Sequence, residues 1–207
     1  MKILYYVLGL FPMRSGGMSI YVSDLVGKMA KEQDIAVLFP GSSSLFSKKR
    51  SVIIDKGYKK ENNIRIFELK NPVPIPLLSG VKNPEDFLFG HRLELSDKSM
   101  EEFYMIFSPD IIHIHTLMGF PPELIVFLKK KGTRIIFTPH DYYGICPKVN
   151  FINQKGLFCE QPDNENCSLC NISAPSVTYT KLRNNPVLLN IAKEIPSCVK
   201  VLVSRNS

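Results

Sequence analysis

Apolar runs of strand length alternate along this chain with stretches whose apolar residues recur at helical spacing, and that alternation restricts the fold more than any single motif. The predicted strands are residues 2–9, 35–39, 64–69, 111–115, 134–138 and 199–203. Several are almost continuously apolar, as in "ILYYVLG" and "VLV", which is what strands covered on both faces require. Between the first two, Tyr21, Leu25 and Met29 recur every four residues beside Val22 and Val26, so one helical face is apolar and packs on the sheet. Residues 85–107 predict a longer helix or two, opened by Pro84. Another helix follows Pro121 and Pro122 and ends with three lysines before Gly132, cations and glycine where a helix C-terminus favours them. Residues 186–194 predict the last helix. The expected fold class is α/β: a Rossmann-like, doubly wound parallel sheet in three layers, forming a single domain over residues 1–207. Right-handed crossovers give the strand order 3-2-1-4-5-6, with the ligand crevice where that order reverses, between strands one and four.

A chain of 207 residues, 44% hydrophobic and 22% charged, is long enough to bury a full core. The net charge of +7 favours an anionic partner: nucleic acid, a phosphorylated small molecule or an acidic membrane face. The basic runs "SKKR", "YKK" and "LKKK" lack interleaved aromatic residues and read as solvated faces, so nucleic acid is not expected. The early run "ILYYVLGLF" follows a single Lys2 and precedes Pro12, Met13 and Arg14 rather than a small-residue cleavage site, which marks a buried strand and not an export signal. No apolar stretch has the roughly 18 residues of a membrane span. The expected compartment is the cytoplasm, where thiols stay reduced and clustered cysteines suggest metal before disulfide.

Three loops leave the strand ends that border the crevice: "FPMRSGGMS", "TLMGFPP" and "PHDYYG". Gly16 and Gly17 open a helix, where backbone amides and the helix dipole can meet a diphosphate, although a turn that simply needs glycine explains them equally. The stretch does not match G-x-G-x-x-G, and "VLFPGSSS" puts no carboxylate after strand two for a ribose, so a nicotinamide cofactor is disfavoured. His113 and His115 share one face of strand four, with His113 read as a satisfied core histidine and His115, beside Thr116, at the strand tip. His140 leaves strand five beside Asp141, at an edge that usually carries chemistry. An imidazole there can donate to a sugar hydroxyl or phosphate oxygen, or else be a loop histidine bonded to backbone.

Four of the five cysteines, Cys146, Cys159, Cys167 and Cys170, follow in the spacing C-x12-C-x7-C-x2-C. Thiolates so grouped can surround zinc tetrahedrally and fix an otherwise long, polar segment, 144–172, in a closed site with no position open for catalysis. Two disulfides, or four free thiols, are the alternatives. Cys198 reads as a small core residue. The sequons at Asn166 and Asn171 carry no meaning in a cytoplasmic chain.

The opening "MKILYYVLGLFPMRSGGMSIYVSDLVGKMAKEQDIAVLFPG", then "PDIIHIHTLMGFP" and "TPHDYYGICP", resemble in that order the N-terminal half of family-four retaining glycosyltransferases with the two-domain GT-B fold. Members with "HDY" followed by "CP" and a later cysteine-rich loop form a recognisable subset. The resemblance implies transfer of a hexosyl group from a nucleotide-diphosphate sugar to an acceptor, with retention at the anomeric carbon. It places Gly16 and Gly17 at the donor phosphates and transferred sugar, His140 at the reaction centre, and Asp141 with His115 and Thr116 around the site. It gives the N-terminal domain the acceptor, a sugar or lipid-linked molecule, with the Pro-rich residues 71–84 as a lip. It requires no cofactor or metal for the chemistry.

The donor-binding second domain of that family, with its Glu-x7-Glu motif, is not expected within these 207 residues; Glu94 and Glu102 have that separation but lie before strand four. The expectation is therefore an isolated acceptor-side half of a polysaccharide- or glycolipid-building enzyme, inactive alone. Its basic surface suits peripheral contact with an anionic membrane that carries the acceptor. The alternative, from another class, is a standalone Rossmann-like module that binds a nucleotide or partner and carries a structural zinc.

Overall fold

The computed structural model describes residues 1–43, 50–59, 63–73, 75, 94–160, 164–183 and 185. They form one mixed sheet with the elements β1 (Lys2–Tyr6), α1 (Gly17–Met29), β2 (Asp34–Pro40), β3 (Val52–Lys59), β4 (Ile64–Lys70), α2 (Asp97–Ile106), β5 (Ile111–Ile114), α3 (Pro122–Lys130), β6 (Arg134–Phe137), α4 (Asn164–Cys170) and α5 (Val177–Arg183). The strand order is β3-β4-β2-β1-β5-β6. β1 is central and pairs in parallel with β2 and β5, which in turn pair in parallel with β4 and β6. The five predicted strands that fall on described residues thus stand in the expected order; the sixth, 199–203, and the helix 186–194 lie outside the described residues.

The alternation along β1 explains why its sequence is apolar throughout. Ile3, Tyr5 and Val7 face one side, where they pack with Val22 and Val26 of α1 and with Ile35 and Val37 of β2. Leu4 and Tyr6 face the other, against Met100 and Phe103 of α2 and Leu124 and Leu128 of α3. Both faces of the strand are covered, so no position can be polar without a buried partner. α3 carries its start and stop signals as expected, with Pro122 in the first turn, Lys129 and Lys130 in the last, and Gly132 beyond it at a φ of 87°.

One expectation about the sheet is corrected. The sheet is not wholly parallel: β3 pairs antiparallel with β4 at one edge, with a register shift between Asp55 and Tyr58. The sequence reading left this strand out. Its apolar part, Val52 to Ile54, is short, and the residues after it, Asp55, Lys56 and Gly57, look like a turn. Of the longer helix or two expected over 85–107, α2 is the part on described residues, and residues 85–93, with Pro84, lie outside them. Leu95 bridges Ser51, and Ser96 is the N-cap that precedes Asp97 in the first turn of α2. A smaller difference concerns α1, where Tyr21 is half exposed rather than packed on the sheet.

Candidate functional site

The C-terminal ends of β1, β5 and β6 feed three loops into one rim of the sheet. Leu8, Arg14, Ser15, Gly16, Gly17 and Met18 come from the first, Met118 from the second, and His140 and Asp141 from the third; with Val149 and Ser19 they line a cleft of about 470 Å³. The diglycine turn and the imidazole behind β6, far apart in sequence, therefore share a cleft. His140 and Asp141 also line a second depression of about 490 Å³ on the β6 side, together with Phe137, Pro139, Tyr142, Gly144 and Ile145.

Gly16 and Gly17 have different reasons to be glycine. Gly16, the N-cap of α1, has a φ of 120°, a backbone state that strains any residue with a side chain. Gly17 has no such φ, and a Cβ there would meet nothing within 4 Å. The fold itself does not demand glycine at 17. A ligand brought close to the backbone would. No side chain caps α1, so the amides of its first turn and the positive end of its dipole are directed at the cleft rim.

His140 is exposed, and behind it stands a column of buried rings. Its Nε2 lies 3.0 Å from Nδ1 of His115. His115 is completely buried, stacked on Tyr5 with centroids 5.9 Å apart and packed against His113 at 4.1 Å. Tyr21 of α1 closes the column, its ring 5.5 Å from His140 and 6.1 Å from His115. His113 Nε2 is 2.8 Å from the Thr138 hydroxyl, so it is the satisfied histidine expected from sequence. Burial, and then the two neighbouring imidazoles, push the His115 pKa down to about 4; His113 is lowered by burial and then by His140. His115 is neutral at pH 7.

His115 Nε2 is buried and has no hydrogen-bond partner among the described residues. The bond between His115 Nδ1 and His140 Nε2 can run in either direction, according to which of the two nitrogens carries the proton. It leaves Nδ1 of His140 as the ring nitrogen not engaged by His115. His115, a predicted substrate contact, is thus placed beneath His140 rather than on the cleft surface.

Asp141 is held by its neighbours. Its Oδ1 accepts the Tyr143 N–H at 2.9 Å, and its Oδ2 is 3.5 Å from the Thr116 hydroxyl, at the long limit of a hydrogen bond. The Thr116 oxygen in turn accepts the Met118 N–H at 3.1 Å. Thr116, like His115, is buried and reaches the cleft through the residue above it. Burial and the Asp141 charge push the Tyr143 hydroxyl up to about 12, so it remains a neutral donor.

Three site residues escaped the sequence reading: Tyr5, Tyr21 and Arg14. Tyr5 was legible in principle, because aligning the ends of the first and fourth strands puts it opposite His113, its actual partner in register. Tyr21 falls one turn beyond the diglycine on the same helix, a signal the reading spent on the core.

Cys146, Cys159, Cys167 and Cys170 converge elsewhere, on one small cavity of about 40 Å³, and none is in a disulfide. Among the described residues no three His, Cys, Asp or Glu side chains are gathered as they are around a bound ion. No described helix is long and apolar enough to cross a membrane. No protein-family model and no curated protein matches the chain.

Proposed function

We propose that the chain is the acceptor-side domain of a retaining sugar transferase, a Rossmann-like unit in three layers that acts in the cytoplasm at an anionic membrane face. One observation carries the reading: His140 and Asp141 line two depressions at once, as a transfer between two ligands needs. The first depression suits a nucleotide-diphosphate sugar. Its rim offers the amides and dipole of α1, the open backbone at Gly17 and the guanidinium of Arg14, groups that stabilise charge growing on a leaving diphosphate. The second, lined by Phe137, Pro139, Tyr142 and Ile145, suits a sugar or lipid-linked acceptor.

In this reading His140 donates Nδ1–H to an oxygen of the transferred sugar or the diphosphate, and Asp141 orients a hydroxyl. His115 and Thr116 hold those two side chains from below. The donor's nucleotide is held by a second domain, and this domain alone turns over nothing. The test is His140→Ala in the complete two-domain enzyme, which is expected to lower turnover at least about tenfold while circular dichroism stays unchanged. Turnover within twofold of the parent would remove His140 from the chemistry. Tight binding of a nucleoside diphosphate by the single domain, without transfer in the complete protein, would favour a binding module.

A further inference from the structure

The cysteine-bearing segment brings no thiol to either depression, and Val149 is its one buried hydrophobic side chain among the described residues. Leu157, Phe158, Leu169 and Ile172 are each more than half exposed. Its backbone is pinned by short-range bonds: Cys146 N–H to Tyr142 O at 2.7 Å, Cys159 N–H to Phe151 O at 2.8 Å, and an isolated antiparallel bridge between Ile152 and Phe158. At the centre of these turns, beside the ring contacts of Phe151 with Tyr142 and Phe158, lies the cavity on which all four thiol-bearing residues converge.

The four arrive from three pieces of chain. Cys146 ends the turn that follows Asp141, and Cys159 closes the bridged hairpin. Cys167 and Cys170, three residues apart on α4, share one helical face. The cavity, about 40 Å³, exceeds the roughly 10–15 Å³ that one water-sized occupant needs. We propose that Cys146, Cys159, Cys167 and Cys170 close on one zinc ion as four thiolates, tying residues 146–170 into a single knot beside Asp141. The site is structural: with four protein ligands zinc has no open position. The sulfurs must turn inward to reach ion-binding spacing, since they are not gathered at it in the structure. Loading releases the thiol protons, so zinc retention weakens as pH falls.

The proposal does not rest on sugar transfer and is tested without it. Protein purified in the absence of chelators is expected to hold about one zinc per chain by atomic emission, the stoichiometry of a closed four-thiolate site. Stripping the zinc is expected to add four reactive thiols and to remove hydrogen-exchange protection at the Cys159 amide, with the strand amides of β1 unchanged. Cys167→Ser is expected to lose the zinc while the circular dichroism of the sheet remains. Four thiols reactive before any stripping, a deficit of two or four thiols that a reductant restores, or bound iron with visible absorption would each overturn the assignment.

Discussion

In the sheet and the helix α3 packed on it, Leu4, Leu38, Ile112 and Leu124 are fully buried; farther along the chain, Leu157, Phe158, Leu169 and Ile172 face outward. The two regions have similar hydrophobic residues and opposite uses for them. The sheet is held by apolar burial on both faces. Of the segment that follows Asp141, Val149 and Tyr143 are the residues that join a buried apolar cluster, with Leu8, Ile75 and Met118. The lesson is that order beside the site need not come from the same source as order of the fold, and that one can be disturbed without the other.

The largest expected effect that tests this contrast is in the sheet. Leu124→Ala empties a fully buried position between α3 and the strands and is expected to cost about 2–5 kcal/mol in urea unfolding. A cost under about 1 kcal/mol would mean that the body does not depend on its packing as described. A middle-sized effect belongs to the buried imidazole at the junction of the two regions. The folded-state pKa of His115, about 4, lies below its ordinary 6.5, so the unfolded chain binds more protons between those values. Stability is therefore full above pH 6.5 and falls as pH drops toward 4. The urea midpoint should fall from pH 7 to pH 5, the His115 ring resonances should stay unmoved over that interval, and His115→Phe should flatten the slope. The smallest effect is predicted in the cysteine segment: Phe158→Ala, at 70% exposure, should change stability by no more than about 0.5 kcal/mol. A loss comparable to Leu124→Ala would erase the distinction between the regions.

Much of the body was legible in the sequence because its elements obey strong periods. β1, β2, β4 and β5 are runs buried on one or both faces, β6 is a short apolar run, and α1 and α3 carry glycine, proline and lysine at their ends. β3 was hidden for a physical reason. An edge strand is wetted along one side and tolerates Asp55, Lys56 and Lys59, so its pattern resembles a loop. The start of α2 at Asp97 follows the bridge between Leu95 and Ser51, a long-range contact that no local pattern reports. At the site, the meeting of Gly16, Gly17, His140 and Asp141 followed from topology alone. The depth of His115 did not. It depends on Tyr5 and Tyr21 folding around it from other elements, and a strand-tip histidine reads the same whether it ends buried or wet.

The irregular edge strand also has a consequence for how copies of the molecule meet. At β3 the register slips between Asp55 and Tyr58, Gly57 sits at a φ of 77°, and the Arg65 guanidinium clasps Asp55 at 2.6 Å. A strand from another molecule would find a kinked, charged ladder there rather than a straight row of amides and carbonyls. Among the described residues, that edge of the sheet carries the irregularities that disfavour edge-to-edge pairing of strands.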